Sequence, residues 1–102
     1  MKHHWQQEEL QAHFTLSPDD LNFLSGTEDH NRLGLALLLK YFAFEGQFPQ
    51  KADEVPRALV EFVAAQLELP PEVYQAYIWQ GRTHKRHRQM IRDHLGFRAY
   101  TG

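Results

Sequence analysis

An all-α fold with a single compact domain is predicted for this chain, on three observations. Apolar residues recur at helical spacing, as in Leu59, Phe62, Val63 and Leu67, and no stretch alternates with a period of two. Serine–proline, glycine and double-proline signals divide the chain into about six segments of helical length. At 102 residues, with 42% hydrophobic and 13% aromatic residues, the chain is long enough for one core and too short for two domains.

The first helix covers Trp5 to His13, with Glu8 and Glu9 near its start facing the positive end of the helix dipole. Ser17-Pro18-Asp19-Asp20 opens the second: a serine cap, a proline in the first turn, then two acids. It closes near Ser25-Gly26. Thr27 or Asp29 caps the third helix, which runs through Phe44 to Gly46. Leu33, Leu35, Leu37, Leu38, Leu39 and Phe42 make it apolar nearly all round, which predicts a buried central helix. The fourth spans about Asp53 to Leu69, with Pro56 in its first turn and Pro70-Pro71 as its stop. Pro71 opens a short fifth helix through Tyr77. After a turn at Trp79-Gln80-Gly81, Thr83 caps a sixth helix that runs to about Leu95 and closes at Gly96. A short helix, a glycine turn and a basic helix give the C-terminal part a helix-turn-helix outline.

Phe14, Phe23, Tyr41, Phe42, Phe44, Phe62 and Trp79 are expected in the core, and Trp5, Tyr74, Tyr77 and Tyr100 at its edge. The large residues Phe97 to Tyr100 suggest structure continuing past Gly102.

Several functions are excluded by composition. There is no cysteine, hence no disulfide, thiol nucleophile or thiolate metal site. No apolar run approaches the roughly 20 residues of a membrane span, and the N-terminus lacks the apolar stretch of a signal peptide. The default setting is cytoplasmic, with no membrane partner. Asp19-Asp20 and Asp53-Glu54 sit at helix starts, where the dipole explains them without catalysis. His84, His87 and His94 lie near one helix face, but Asp93 points elsewhere, so no metal is expected. No catalytic residue, cofactor or small-molecule substrate is expected. His3 and His4 belong to a frayed terminus.

The charge layout is the functional clue. Residues 82–102 hold six Lys/Arg (Arg82, Lys85, Arg86, Arg88, Arg92, Arg98) and one acid, Asp93, for +5. Residues 1–81 hold five Lys/Arg and twelve acids, for −7; the two sum to the formal −2 of the whole chain. His84, His87 and His94 add charge to the basic segment at mildly acid pH. On a helical wheel with Ile91 inward, Leu95, His87 and His84 share the inner side. Lys85, Arg88, Gln89 and Arg92 then form one outward ridge, with Arg86 on the far flank. Arginine and glutamine are residue types that read guanine and adenine edges, and lysine and arginine also bind phosphates. Arg82 and Thr83, at the helix entrance, suit a phosphate beside a free helix N-terminus. Arg32 and Lys40, on the central helix, are weaker candidates for a backbone contact.

The run Trp79-Gln80-Gly81-Arg82-Thr83-His84-Lys85-Arg86-His87-Arg88-Gln89-Met90-Ile91-Arg92 resembles the N-terminal domain of the Tn-three family of replicative transposases. Arg32 to Phe42, Glu45-Gly46-Gln47-Phe48-Pro49, Val55-Pro56, Phe62 to Leu67 and the opening Trp5 to Leu16 are similar to the same domain, in the same order. The resemblance implies that residues 1–102 are the N-terminal DNA-binding domain of a much longer transposase. It implies a role in binding the terminal inverted repeats of a transposon, with double-stranded DNA and the remainder of the transposase as partners. The family's catalytic acidic triad lies far downstream, so the implied domain is not an enzyme. The Gly81-Arg82-Thr83 turn and the run Lys85-Arg86-His87-Arg88 match the family pattern directly. The alternative is a protein–protein interaction or assembly module of the transposase, using the acidic first 81 residues.

Overall fold

The computed structural model describes residues 4–96. His3, Phe97, Arg98 and Tyr100 lie outside the described residues. Five α-helices form the domain: α1 (Gln7–Phe14), α2 (Pro18–Leu24), α3 (Asp29–Glu45), α4 (Arg57–Gln66) and α5 (Arg82–Leu95). Two 3-10 helices, Ala52–Glu54 and Pro71–Ala76, complete it, and no strand occurs among the described residues. The all-α expectation holds, with the short fifth helix taking the 3-10 form.

The central helix is α3, as its composition predicts. Leu33 to Leu39 are all buried, together with Tyr41 and Phe42, and the other four helices and the second 3-10 helix pack against it. Ser17 caps α2 reciprocally: its hydroxyl accepts from the Asp20 N–H, and the Asp20 carboxylate accepts from the Ser17 N–H, both at 3.0 Å. Gly46 closes α3 in the left-handed conformation, its N–H donating to the Phe42 carbonyl (2.8 Å).

Local chemistry moves some expected boundaries. Helix α4 begins at Arg57 rather than near Asp53, because Val55 precedes a proline and is held extended (φ −87°, ψ 117°). Pro56 is therefore the cap, not a first-turn residue. The helix ends at Gln66, two residues before a left-handed Glu68 (φ 60°), and the Leu69 N–H closes the motif on the Ala64 carbonyl (2.9 Å). Neither Thr27 nor Asp29 caps α3; the cap is Glu28, without a side-chain bond. Thr83 does not cap α5. Gly81 does, at φ 92° and ψ −168°, and Thr83 lies inside the first turn. Only glycine reaches that conformation without strain, so the turn is set there.

Two aromatic expectations change. Phe44 is 42% exposed, lying over the rings of Trp5, His13 and Phe14. Tyr77, expected at the edge, is 4% exposed. Its ring occupies the place where a side chain on Gly34 would stand, with a Cβ there only 2.1 Å from Tyr77 Cδ1. A glycine in the middle of the central helix is what lets the Tyr77 segment close over it.

Candidate nucleic-acid interface

Helix α5 is strongly two-faced. Ile91, His84 and His87 are buried, while Arg82, Lys85, Arg86, Gln89 and Asp93 are exposed. Burying two histidines needs partners, and Tyr77 supplies both. Its hydroxyl lies 2.8 Å from His87 Nδ1 and 3.3 Å from His84 Nδ1. With one hydroxyl proton, Tyr77 donates to one imidazole and accepts an Nδ1–H from the other. Burial lowers the pKa of both rings, aided by Arg88 at His84, and by Arg86 and His84 at His87, whose value falls to about 4. The expected protonation at mildly acid pH is therefore corrected: His84 and His87 are neutral anchors of α5, not part of its charge. His94 has another role, stacking on Phe23 (4.3 Å) with Nε2 3.3 Å from Asp19 Oδ2. Among the described residues no cluster of His, Asp and Glu is arranged to hold a metal ion.

Beside α5 runs an open groove of about 730 Å³, walled on one side by Lys85, Arg88 and Arg92 and on the other by residues 46–50. Among the described residues no carboxylate lines it. Its far wall is built from the end of α3: Phe48 stacks on Phe42 (4.3 Å), and the Arg92 guanidinium lies 5.2 Å from the Phe48 ring centroid. Trp79, at the N-terminal end of α5, lines the same groove.

The expected ridge of Lys85, Arg88, Gln89 and Arg92 is split by this arrangement. Lys85, Arg88 and Arg92 border the groove, while Gln89 is exposed outside it and donates to Asp93 Oδ1 (3.0 Å). Arg86 is exposed and outside the groove. Arg82 and Thr83 sit in the first turn of α5, which contains no acid, near His30, Asn31 and Ile78. The two weaker candidates do not join them. Arg32 Nε donates to the Thr27 carbonyl (3.1 Å), and Lys40 Nζ is 3.1 Å from Asp20 Oδ2, with both side chains of that pair mostly buried. Burial opposes the Asp20 charge, but the Ser17 N–H, Lys40 and the Ser17 hydroxyl together hold its pKa below the ordinary carboxylate value.

Residues 1–102 match, over their full length, the family model described as Domain of unknown function (DUF4158). The chain belongs to this family. As a DUF4158 domain it is 34% identical, over 97 residues, to the Escherichia coli protein named transposase for transposon Tn3926, a match covering 93% of this chain and 10% of the relative. It is 33% identical over 94 residues to the transposase for transposon gamma-delta of Escherichia coli (strain K12), covering 90% of this chain and 9% of the relative. The DUF4158 domain thus spans about a tenth of the length of these relatives. These matches agree with the resemblance to the N-terminal region of Tn-three family transposases. No solved structure matches the chain.

Three contributors to this site have no signal in the sequence that marks them. Tyr77 reads as an edge aromatic, since nothing local announces a histidine pair seven and ten residues on. Gln47 and Gln50 read as loop, since the groove they border exists only once α3 and α5 are packed. A proline beside a stacking aromatic, as in Phe48-Pro49, is the nearest available hint.

Proposed function

We propose that this domain is the non-catalytic DNA-binding part of a transposase and binds the terminal inverted repeats of its transposon. The observation that carries the reading is the groove beside α5. It has three cations on one wall and, among the described residues, no carboxylate on either, in a chain with thirteen acids. Such a surface suits a polyanion. The first turn of α5 adds to it: Arg82 and Thr83 stand at the positive end of the helix dipole with no acid beside them. Arg86 and Gln89 extend the candidate surface outward. Both relatives named above are transposases, which makes transposon DNA the natural polyanion.

The test is a gel shift with a duplex carrying the inverted repeat and a random duplex of equal length, at several salt concentrations. If four to six basic groups meet phosphates, log K falls against log salt with a slope of about −4 to −5. The inverted repeat is bound more tightly than the random duplex. A slope near zero, or equal binding of an uncharged polymer, overturns the reading.

A further inference from the structure

We propose that the groove between α5 and residues 46–50 holds one sugar–phosphate strand of the bound duplex, with Gln47 and Gln50 as contacts on its far wall, while base edges are met by Arg86 and Gln89 on the outer ridge of α5. The proposal rests on the DNA-binding reading and assigns the parts within it.

Charge separates the two faces of α5. The groove flank carries Lys85, Arg88 and Arg92 and, among the described residues, meets no carboxylate. The outer ridge carries Asp93, held by Gln89 at 3.0 Å. A carboxylate repels phosphate but accepts hydrogen bonds from base amino groups, so the phosphate strand belongs in the groove and the bases at the ridge. Helix geometry agrees. At 100° per residue, positions 85, 88 and 92 fall within about 60° of one another, and 82, 86, 89 and 93 cluster within about 60° on the next sector outward. A helix lying in a major groove turns its outermost residues to the base edges and its flank to the phosphate wall.

The far wall is pre-formed. Gly46 is held by its bond to the Phe42 carbonyl, Phe48 stacks on Phe42 and also meets the Arg92 guanidinium, and Pro49 is buried. The Gln50 N–H is tied back to Glu54 Oε1 (3.0 Å), and Glu54 itself does not line the groove. Gln47 and Gln50 are both exposed on this rigid wall, opposite the cations. Side-chain amides are uncharged phosphate donors, so they add affinity without adding to the salt dependence. Trp79, whose buried indole N–H has no partner among the described residues, lines the groove as well.

The experiment uses the 102-residue chain and two probes: a duplex selected by that chain from a randomised pool, and a random duplex of equal length. Fluorescence anisotropy is read at several salt concentrations, with melting curves confirming that each variant is folded. The double variant Gln47→Ala/Gln50→Ala is expected to weaken both duplexes by about three- to tenfold, with the salt slope and the selected-to-random ratio unchanged. Lys85→Ala and Arg88→Ala each weaken both duplexes alike and reduce the slope by about 1. Gln89→Ala and Arg86→Ala lower the selected-to-random ratio. The groove assignment is overturned if the double variant stays within twofold of wild type. It is overturned equally if Arg88→Ala lowers the ratio as much as Gln89→Ala does. A wild-type chain that binds no duplex removes the DNA-binding reading itself, and the groove assignment with it.

Discussion

Tyr77 joins three parts of the chain through one side chain. Its hydroxyl serves His84 and His87 on α5, and its ring fills the notch at Gly34 on α3. Gly34→Ala places a methyl group against the Tyr77 ring and forces it aside. Overpacking of this kind costs about 3 kcal/mol, and better helix propensity returns about 1. The expected loss, read by urea unfolding, is about 2 kcal/mol, and a gain in stability would show that the ring moves freely. His87 sets an acid limit. Its folded pKa of about 4 lies below the ordinary histidine value, so between these two values the unfolded chain binds more protons than the folded one. Stability is complete above about pH 6.5 and falls as the pH drops towards 4, by roughly 3 kcal/mol in total. His87→Phe should flatten that part of the profile in thermal unfolding against pH. At this scale the sequence was legible only in part. His84 and His87 were visible on the inner side of the helix wheel, but Tyr77, the residue that hydrogen-bonds them, was read as lying at the edge of the core.

Helix α5 is attached by few buried side chains, with Ile91 fully buried among them. Ile91→Ala leaves a cavity beneath the basic face, and a loss of about 2–5 kcal/mol is expected. DNA binding should fall with it at temperatures near the new melting point and recover on cooling. Loss of binding in a fully folded variant would instead give Ile91 a direct part in the interface. At the end of α4, Glu68 holds a left-handed conformation that costs an ordinary residue about 1–2 kcal/mol. Glu68→Gly relieves it and should raise stability by about 0.5–1 kcal/mol, after the extra backbone entropy of glycine. Unchanged stability in differential scanning calorimetry would show that the Leu69–Ala64 bond already compensates. Helix existence and order were legible throughout, because each helix carries its own periodicity and stop signals. The start of α4 and the cap of α5 were misplaced where a competing local rule governed: a pre-proline residue in one case, a left-handed glycine in the other.

Across the whole molecule, the acidic body and the basic C-terminal helix make a domain of dipolar charge layout, with the exposed Arg82, Lys85 and Arg86 together on α5. The carboxylates stand largely at helix starts or in pairs with cations, as at Asp20–Lys40 and Glu61–Arg57. The purified chain is accordingly expected neither to nick nor to join a transposon end in magnesium, and a chelator should leave its melting temperature unchanged. Magnesium-dependent nicking by pure protein, or a clear drop in melting temperature, would contradict this. The residues alone determined the all-α class, the buried central helix, the basic α5 and the family, because each is written in local periodicity, punctuation or an ordered set of motifs. Only the tertiary structure decided which basic residues face the groove, what answers the buried histidines and where Arg32 and Lys40 are spent. Gln66 shows the reason. Its amide oxygen accepts from the Leu16 N–H (2.7 Å) and its amide nitrogen donates to the Phe14 carbonyl (3.1 Å), fifty residues back along the chain. Arg92 over Phe48 and Tyr77 against Gly34 are contacts of the same long range. No spacing rule encodes such pairs, since they arise from how helices of known faces settle against α3, and settling is governed by packing of the whole core.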